Sequence, residues 1–410
     1  MKKCVLFLTV LSLTFLLASC GNEAPGASLE APEILKAVPS DAQSIGIFGR
    51  LDHAMDRLID STSILQRIDY GKMGRSRAVI ATCDLGALAP IVIVEAGKAS
   101  ADTASAVLPV LSQADTLGLP HCHITLGHHN ALILTPSETA LTIVSRHLAS
   151  EISILDAPDF DKVVSILPSA DALIYRNRGA AKLFGGMFSG SLGQTAVSFL
   201  KDAAEWMVEA DGTIQTVQPD AEKFYSNFCS SLQEAPVKLQ SVLPAGSLFY
   251  VDIPIASTLA YRHAYEVWLD ARVALEDYNR RLSSIARAAG KDPRTWEQEA
   301  GVREAAVITL PEGRLNLLRV KDKASSDGIV PNPRTGFARA LYGEVFAPAD
   351  SCMILSGNWI LSGSRAVLES YEPAAASAGW PSKAKVIAGN DARLYIWNKD
   401  NRIKIWDSNR

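Results

Sequence analysis

The sequence predicts an α+β fold with largely antiparallel sheets, and three observations support that class. Short runs of branched residues, typical of strands, alternate with helix-like stretches along the chain, and no internal apolar segment is long enough to span a membrane. Several blocks of the first half recur in the same order in the second half, which indicates two related modules. One long stretch of the second half has apolar residues at helical spacing. We therefore predict one α+β module over residues 31–235 and another over residues 236–410.

The first module opens with alternating elements. Branched residues favour strands at 44–50, 77–83 and 91–94, and helices are expected at 51–60 and 99–113. Further along, Asp211 and Gly212 separate two alternating segments, and an Asp-Gly pair there is a strong hairpin signal because a type I′ turn needs positive φ at both positions. The competing interpretation continues a helix from Thr195 through Met207.

Three pairs of similar blocks carry the predicted repeat. Each module has a proline, Pro39 or Pro244, just before a strand, and each has a strand that ends in a turn around Ser137 or Ser364. The third pair begins with Asp-Ala at Asp171 and includes a tyrosine. The matched blocks are residues 38–47 with 243–251, 130–141 with 358–368, and 171–177 with 391–398.

The second module contains a stretch whose pattern predicts one long amphipathic helix over residues 258–289. Ser257 can cap its start and Gly290 can close its end. A continuous helix of this length would extend about 50 Å. It either lies across its own sheet or projects as an arm that docks a partner. Its apolar positions are Ala264, Val267, Ala271, Leu275, Tyr278, Leu282 and Ile285.

The N-terminus has the features of an export signal, not of a fold element. Lys2 and Lys3 precede an uncharged run of 13 residues, from 5 to 17, which is short of the roughly 20 that a membrane-spanning helix needs. The segment Leu17-Ala18-Ser19-Cys20 resembles the lipobox of bacterial lipoproteins. That resemblance implies a diacylglyceryl thioether on Cys20, cleavage before it and acylation of the new N-terminus. The alternative is a plain secretory signal, 1–19, with a chance cysteine.

The residues after Cys20 predict the membrane to which the protein is anchored and the side that it faces. Residue 21 is Gly and not Asp, so the best-known inner-membrane retention signal is absent, and the outer membrane is favoured, more with a periplasmic than a surface-exposed orientation. Small and polar residues through position 30 predict a flexible tether. Removing the 19 signal residues from 410 leaves 391, and the loss of Lys2 and Lys3 changes the net charge from −4 to −6. This acidic balance argues against nucleic acid as a partner.

Four cysteines remain besides Cys4 and Cys20: Cys83, Cys122, Cys229 and Cys352. An oxidising compartment permits disulfides, but their spacing matches no known framework, so free thiols and one disulfide both stay open.

A histidine cluster is the candidate for metal chemistry. On a strand, His121 and His123 point to one face, which is a zinc or copper geometry. If Gly127 makes a turn, His128 or His129 could face them from the next strand. The ordinary interpretation is a partly exposed, histidine-rich hairpin, and we expect no resident cofactor.

Other motifs are incomplete. Ser191 lacks the preceding glycine of a nucleophile elbow, and Ser198 with Lys201 lacks the companion triplets of penicillin-recognising enzymes. Late aromatic residues, Tyr395 and Trp397 with Trp359, Trp380 and Trp406, either fill a packed face or form an exposed platform for sugars.

The lipobox, the proline-plus-strand openings, the Asn-strand-Ser turns and a long helix followed by Asp292 and Trp296 resemble uncharacterised domain-of-unknown-function lipoproteins of Gram-negative anaerobes. The resemblance covers most of residues 31–400 and implies duplicated α+β modules but no established activity. The leading expectation is a non-catalytic, lipid-anchored envelope protein that binds or scaffolds another envelope protein or ligand. The alternatives are a metal-dependent or hydrolytic enzyme around His121 and His123, and a glycan-binding lipoprotein.

Overall fold

The computed structural model describes residues 33–85, 88–97, 101–126, 129–168, 171–176, 204–217, 222–244, 246–374, 380–390, 392–398 and 402–407. Within these ranges the chain forms helices on both sides of one large antiparallel sheet, which confirms the predicted α+β class. The signal, Cys20 and the tether lie outside the described residues.

The first half of the chain supplies eight strands to the sheet. They are β1 (Ser44–Phe48), β2 (Ala78–Asp84), β3 (Leu88–Gly97), β4 (His121–Leu126), β5 (His129–Leu134), β6 (Ala172–Arg176), β7 (Trp206–Ala210) and β8 (Thr213–Val217). Its helices are α1 (Leu51–Leu58), α2 (Ala101–Leu117), α3 (Glu138–Ala149) and α4 (Phe160–Ser165). These positions confirm the strands predicted near residues 44, 77 and 91 and the helices predicted near 51 and 99.

The second half supplies eight further strands and a small separate pair. Between the halves lie α5 (Tyr225–Ser231) and β9 (Ala235–Pro236). The strands are β10 (Phe249–Pro254), β11 (Glu304–Leu310), β12 (Gly313–Ser325), β13 (Val330–Pro331), β14 (Cys352–Gly363), β15 (Lys383–Ala384), β16 (Val386–Gly389), β17 (Arg393–Trp397) and β18 (Ile403–Asp407), of which β15 pairs only with β9. The helices are α6 (Thr258–Ala271), α7 (Leu275–Ala289), α8 (Pro293–Ala300), α9 (Phe337–Tyr342) and α10 (Arg365–Glu369).

The sixteen-stranded sheet has the same strand order on either side of its centre. The first half runs β8-β7-β6-β1-β2-β3-β5-β4 outward, and the second half runs β18-β17-β16-β10-β11-β12-β14-β13 outward. The halves meet where β18 pairs with β8, through Ile403 opposite Ile214 and Lys404 opposite Thr213. The two outer edges of the described sheet are therefore β4 and β13.

The two faces of the sheet bury their apolar side chains differently. On one face, which we call the continuous face, a single cluster extends from Val92 through Ile214 and Ile403 to Val251, under α1, α2 and α5 to α9. The opposite, divided face carries two separate clusters. One lies under α3 and α4, and the other lies under α10 and residues 237–243. The cluster on the continuous face is therefore built from both halves of the chain.

The Asp-Gly hairpin prediction is confirmed. Asp211 and Gly212 have φ values of 48° and 73° and join β7 to β8, as the type I′ turn requires. Met207, the end of the competing helical interpretation, lies in β7 and is fully buried.

The prediction of one continuous helix over residues 258–289 is wrong, because α6 ends at Ala271 and α7 begins at Leu275. The rings of Tyr265 and Tyr278 lie 5.6 Å apart, whereas 13 residues of straight helix would separate them by about 20 Å. Val273 makes the reversal with a φ of 58°, and the Ala274 N–H donates back to the Leu269 carbonyl. The turn contains no glycine or proline, and the helical spacing of apolar residues continues across it. The sequence therefore contains no sign that the helix is interrupted.

We expect Val273→Gly to raise the free energy of unfolding by about 1 kcal/mol. A branched side chain is strained in the left-handed region, and Val273 is 93% exposed, so the substitution removes strain and little packing. Val267→Gly, in the interior of α6, is the matched control and should lower the same free energy by about 1 kcal/mol. Urea denaturation measures both, and equal destabilisation by the two changes would show that Val273 is not strained.

Candidate functional site

The histidine-rich segment forms the β4–β5 hairpin at one edge of the sheet. His121 lies opposite Leu134 and His123 lies opposite Leu132 in an unbroken antiparallel register. Directly opposed residues share a face, and Leu132 and Leu134 belong to the continuous face. The structure thus places His121 and His123 on one face, at the end of the sheet covered by α2.

The expectation that His129 could face His121 and His123 is wrong. His129 lies opposite Leu126 in the register and has the parity of Ala131, and both of these apolar residues pack on the divided face. A strand directs alternate side chains to opposite faces, so the sheet separates His129 from the other two imidazoles. His128 lies outside the described residues.

His121 has local partners of its own. Its Nδ1 lies 2.8 Å from the Leu119 carbonyl oxygen, and its Nε2 lies 3.7 Å from a carboxylate oxygen of Asp115 on α2. His123 is exposed. Across the ranges that the structure describes, no group of three or more His, Cys, Asp or Glu side chains is arranged to hold a metal ion. A metal site at His121 and His123 stays a prediction.

A small recess lies on the other face of the same hairpin. His129 Nδ1 is 3.1 Å from Glu95 Oε1, so β3 and β5 together hold an imidazole beside a carboxylate. The recess has a volume of about 110 Å³, enough for ordered water. Its lining residues are Glu33, Ile34, Arg77, Glu95, Leu126, His129, Asn130 and Ala131. Sequence reasoning missed it because Glu95 and Arg77 stand far from the histidines in the chain.

The four cysteines of the described residues are free thiols. Cys83 and Cys229 are buried, whereas Cys122 and Cys352 are partly exposed, and none of the four is bonded to another. Burial raises the pKa of the Cys83 thiol to about 12, with the carboxylate of Asp41 adding to the shift. Thiols of this kind pack as small apolar groups and are poor nucleophiles.

Three of the five late aromatic residues fill the core. Trp359, Tyr395 and Trp397 are each at most 4% exposed, as expected of a packed face. Trp380 stacks on Tyr250 with ring centroids 5.1 Å apart. Trp359, Tyr395 and Trp397 therefore offer no exposed platform for a sugar. Trp380 and Trp406 are partly exposed on the divided face, and glycan binding stays a prediction.

Three buried glutamates, Glu209, Glu297 and Glu304, connect elements of the fold. Glu304 Oε1 accepts from the backbone N–H groups of Lys238 and Leu239 at 2.7 and 2.8 Å, while its Oε2 accepts from Arg319 Nε at 2.7 Å. The bonds fasten residues 236–239 to the sheet, since Arg319 also donates to the Pro236 carbonyl.

Glu209 and Glu297 are bound in the same manner. Glu209 accepts from Arg393 of β17 at 2.9 Å, from Arg57 of α1 at 3.3 Å and from the Tyr175 hydroxyl at 3.1 Å, which ties the two halves together across their junction. Glu297 accepts from the Tyr342 hydroxyl and pairs with Arg262, which joins α8, α9 and α6. These bonds fix the carboxylates in place between elements of the fold.

Comparisons with protein-family models, with curated proteins and with solved structures find no match to this chain. Among the described helices, none has both the length and the apolar character that crossing a bilayer requires.

Proposed function

We propose that this protein is a lipid-anchored lipoprotein of the bacterial envelope, held at the outer membrane through Cys20 and facing the periplasm. The lipobox and the short apolar run before it support the anchor. The described fold begins at Glu33, thirteen residues after Cys20, so the chain can hold it at most about 45 Å from the lipid. Two or three acyl chains would make that attachment firm.

The role that best fits the body is non-catalytic binding or scaffolding of another envelope protein. The observation that carries this proposal is the state of the buried charges. Glu209, Glu297 and Glu304, the buried glutamates of the described residues, each pair with an arginine and accept a hydrogen bond from at least one further group of the fold. A general acid or base must instead be free to exchange a proton with a substrate.

We also propose that the two halves are related modules of a duplicated fold. The identical strand order on the two sides of the centre supports this, as do the equivalent serine caps. Ser137 accepts from the Ala140 N–H at the start of α3, and Ser364 accepts from the Val367 N–H at the start of α10. The third sequence match is the exception. It joins β6 to β17, whereas by place in the order β6 corresponds to β16 and β17 to β7.

We expect Cys20→Ala to abolish incorporation of labelled palmitate and to move the protein from the membrane to the soluble fraction after cell lysis. Without the thiol, no thioether can form. Cys4→Ala, within the signal, is the matched control and should leave both labelling and sedimentation unchanged. Full membrane retention and labelling of the Cys20→Ala protein would contradict the anchor.

In vivo cross-linking of the lipidated protein, followed by mass spectrometry, tests the binding role. We expect specific cross-links from surface lysines to a second polypeptide, retained in detergent extracts and absent from a strain without the protein. Recovery of the uncross-linked monomer alone, over a range of linker lengths, would count against a scaffold.

A further inference from the structure

The outer edge of the β4–β5 hairpin is an open strand with a definable set of free backbone groups. Within the described residues, β4 has one neighbour, β5. The Thr135 N–H donates to the Pro120 carbonyl at 3.1 Å, and hydrogen-bonded pairs alternate along an antiparallel ladder. Cys122, Ile124 and Leu126 therefore direct their backbone groups to β5. The N–H and C=O groups of His121, His123 and Thr125 point outward.

The opposite edge of the sheet is protected, and this one is not. β13, which occupies the place equivalent to β4, has only two residues and ends in Pro331. β4 has six residues and contains no Lys, Arg, Asp, Glu or Pro. Natural sheets protect edges with shortness, proline or charge, because an unprotected edge pairs with other strands. An unguarded edge of this length indicates a surface that is used for pairing.

The edge is complementary to itself. If two copies of β4 meet antiparallel with His123 at the centre, His123 lies opposite the same residue of the second copy, and His121 lies opposite Thr125. All three outward residues of each strand are then in hydrogen-bonded pairs, which gives six backbone bonds. A register displaced by one residue would leave these groups unpaired, and one displaced by two residues would pair only two of the three, so this alignment forms the most backbone bonds.

The side chains also suit a second copy. On the divided face, the partly exposed Cys122 would lie beside Ile124 of the second copy, and Ile124 beside its Cys122, so two half-buried side chains gain apolar neighbours. No carboxylate, lysine or arginine of β4 opposes a like charge in this alignment. A contact that repeats the same patch on both copies closes as a two-fold dimer and does not propagate.

We propose that β4 is a dimerisation strand, which pairs antiparallel with β4 of a second copy about His123 and joins two sixteen-stranded sheets into one. The inference adds a partner to the proposed function, but it does not depend on the lipid anchor, so failure of either leaves the other standing.

Register-specific cross-linking of the mature lipoprotein in detergent tests the alignment, with Cys122→Ser as the background. His123→Cys should form an intermolecular disulfide under mild oxidation, because opposed Cα atoms at about 5.5 Å lie within disulfide range. Thr125→Cys is the matched control and should stay uncross-linked, since the two copies of residue 125 would lie about 14 Å apart. Equal cross-linking of the two variants, or none with His123→Cys, would overturn the proposal.

A second variant tests the pairing itself. His123→Pro removes one outward N–H but no bond to β5, and proline is tolerated on an edge strand where its nitrogen faces solvent. We expect sedimentation velocity in detergent to show a dimer for the natural protein and at least tenfold weaker association for His123→Pro, with an unchanged circular-dichroism spectrum. A natural protein that is monomeric at tens of micromolar, or a dimer indifferent to this substitution, would refute the assignment.

Discussion

Arg319→Met is expected to lower the free energy of unfolding by about 3–5 kcal/mol, because it removes one partner of a buried ion pair. Arg319 is 9% exposed, and its Nε donates to Glu304, which has no exposed surface. Methionine keeps much of the apolar stem but leaves a carboxylate in the core without its counter-charge. The Pro236 carbonyl also loses a donor, so the segment that β9 contributes would loosen with it.

Arg280→Met is the matched control for that experiment. Arg280 pairs with Asp277 at 2.8 Å, but both side chains are about 70% exposed, and such pairs contribute at most about 1 kcal/mol. Guanidinium denaturation of both variants gives the comparison. If Arg319→Met costs no more than Arg280→Met, the buried cluster does not stabilise the fold.

The second large effect concerns Asp252, whose side chain is fully buried beside Glu304. Burial, followed by the neighbouring Glu304 carboxylate, raises the pKa of Asp252 well above its ordinary value, and Arg319 opposes this only in part. No well-aligned donor faces either Asp252 oxygen among the described residues, whereas Glu304 already accepts three hydrogen bonds. The folded protein therefore keeps a proton on Asp252, which can donate to Glu304.

This proton makes stability depend on pH in a defined direction. The unfolded chain releases it near pH 4, but the folded chain holds it to a higher pH, so the stabilisation is complete below the unfolded pKa. This stabilisation is lost as pH rises from the unfolded pKa through the raised pKa of folded Asp252, at about 1.4 kcal/mol per pH unit between the two. Asp252→Asn cannot lose a proton and retains a donor toward Glu304. We therefore expect the variant to be the more stable protein at pH 8, by a margin that shrinks toward pH 5.

Urea denaturation at several pH values from 5 to 8 checks this expectation. Asp277→Asn changes an exposed carboxylate of α7 and serves as the control, with a small effect that does not grow with pH. Parallel stability curves for the natural protein and Asp252→Asn would mean that Asp252 is ionised in the fold.

Local chemistry was readable from the sequence wherever one or two residues decide a conformation. Asp211 and Gly212 sufficed for the β7–β8 turn, and Ser137 and Ser364 for the strand-to-helix turns. The reversal at Val273 was not readable, because its residue type disfavours the φ that it adopts. Packing of tyrosines from α6 and α7 against one another holds that conformation, and such contacts leave no local signature.

Long-range pairings were beyond the sequence for a related reason. The junction of β8 with β18 joins residues nearly two hundred positions apart, and nothing in Ile214 or Ile403 distinguishes a junction strand from any other buried strand. The face of His129 followed from register, and register depends on where the β4–β5 turn begins. A weak signal did exist for the buried cluster. Asp252 interrupts an apolar strand, a position where a charge needs a partner.

The junction between the halves gives the molecule an unusual mechanical arrangement. Backbone pairing there is limited to two residue pairs among the described residues, while the ladders on either side, β17–β18 and β7–β8, carry five each, so the sheet narrows at its centre. The continuous face crosses this narrow point with one unbroken apolar cluster, and Glu209 bridges it through Arg393. Neither half can detach without exposing the core of the other. Backbone hydrogen bonds between the halves are thus few, and it is the packing of side chains that makes the two halves one cooperative unit.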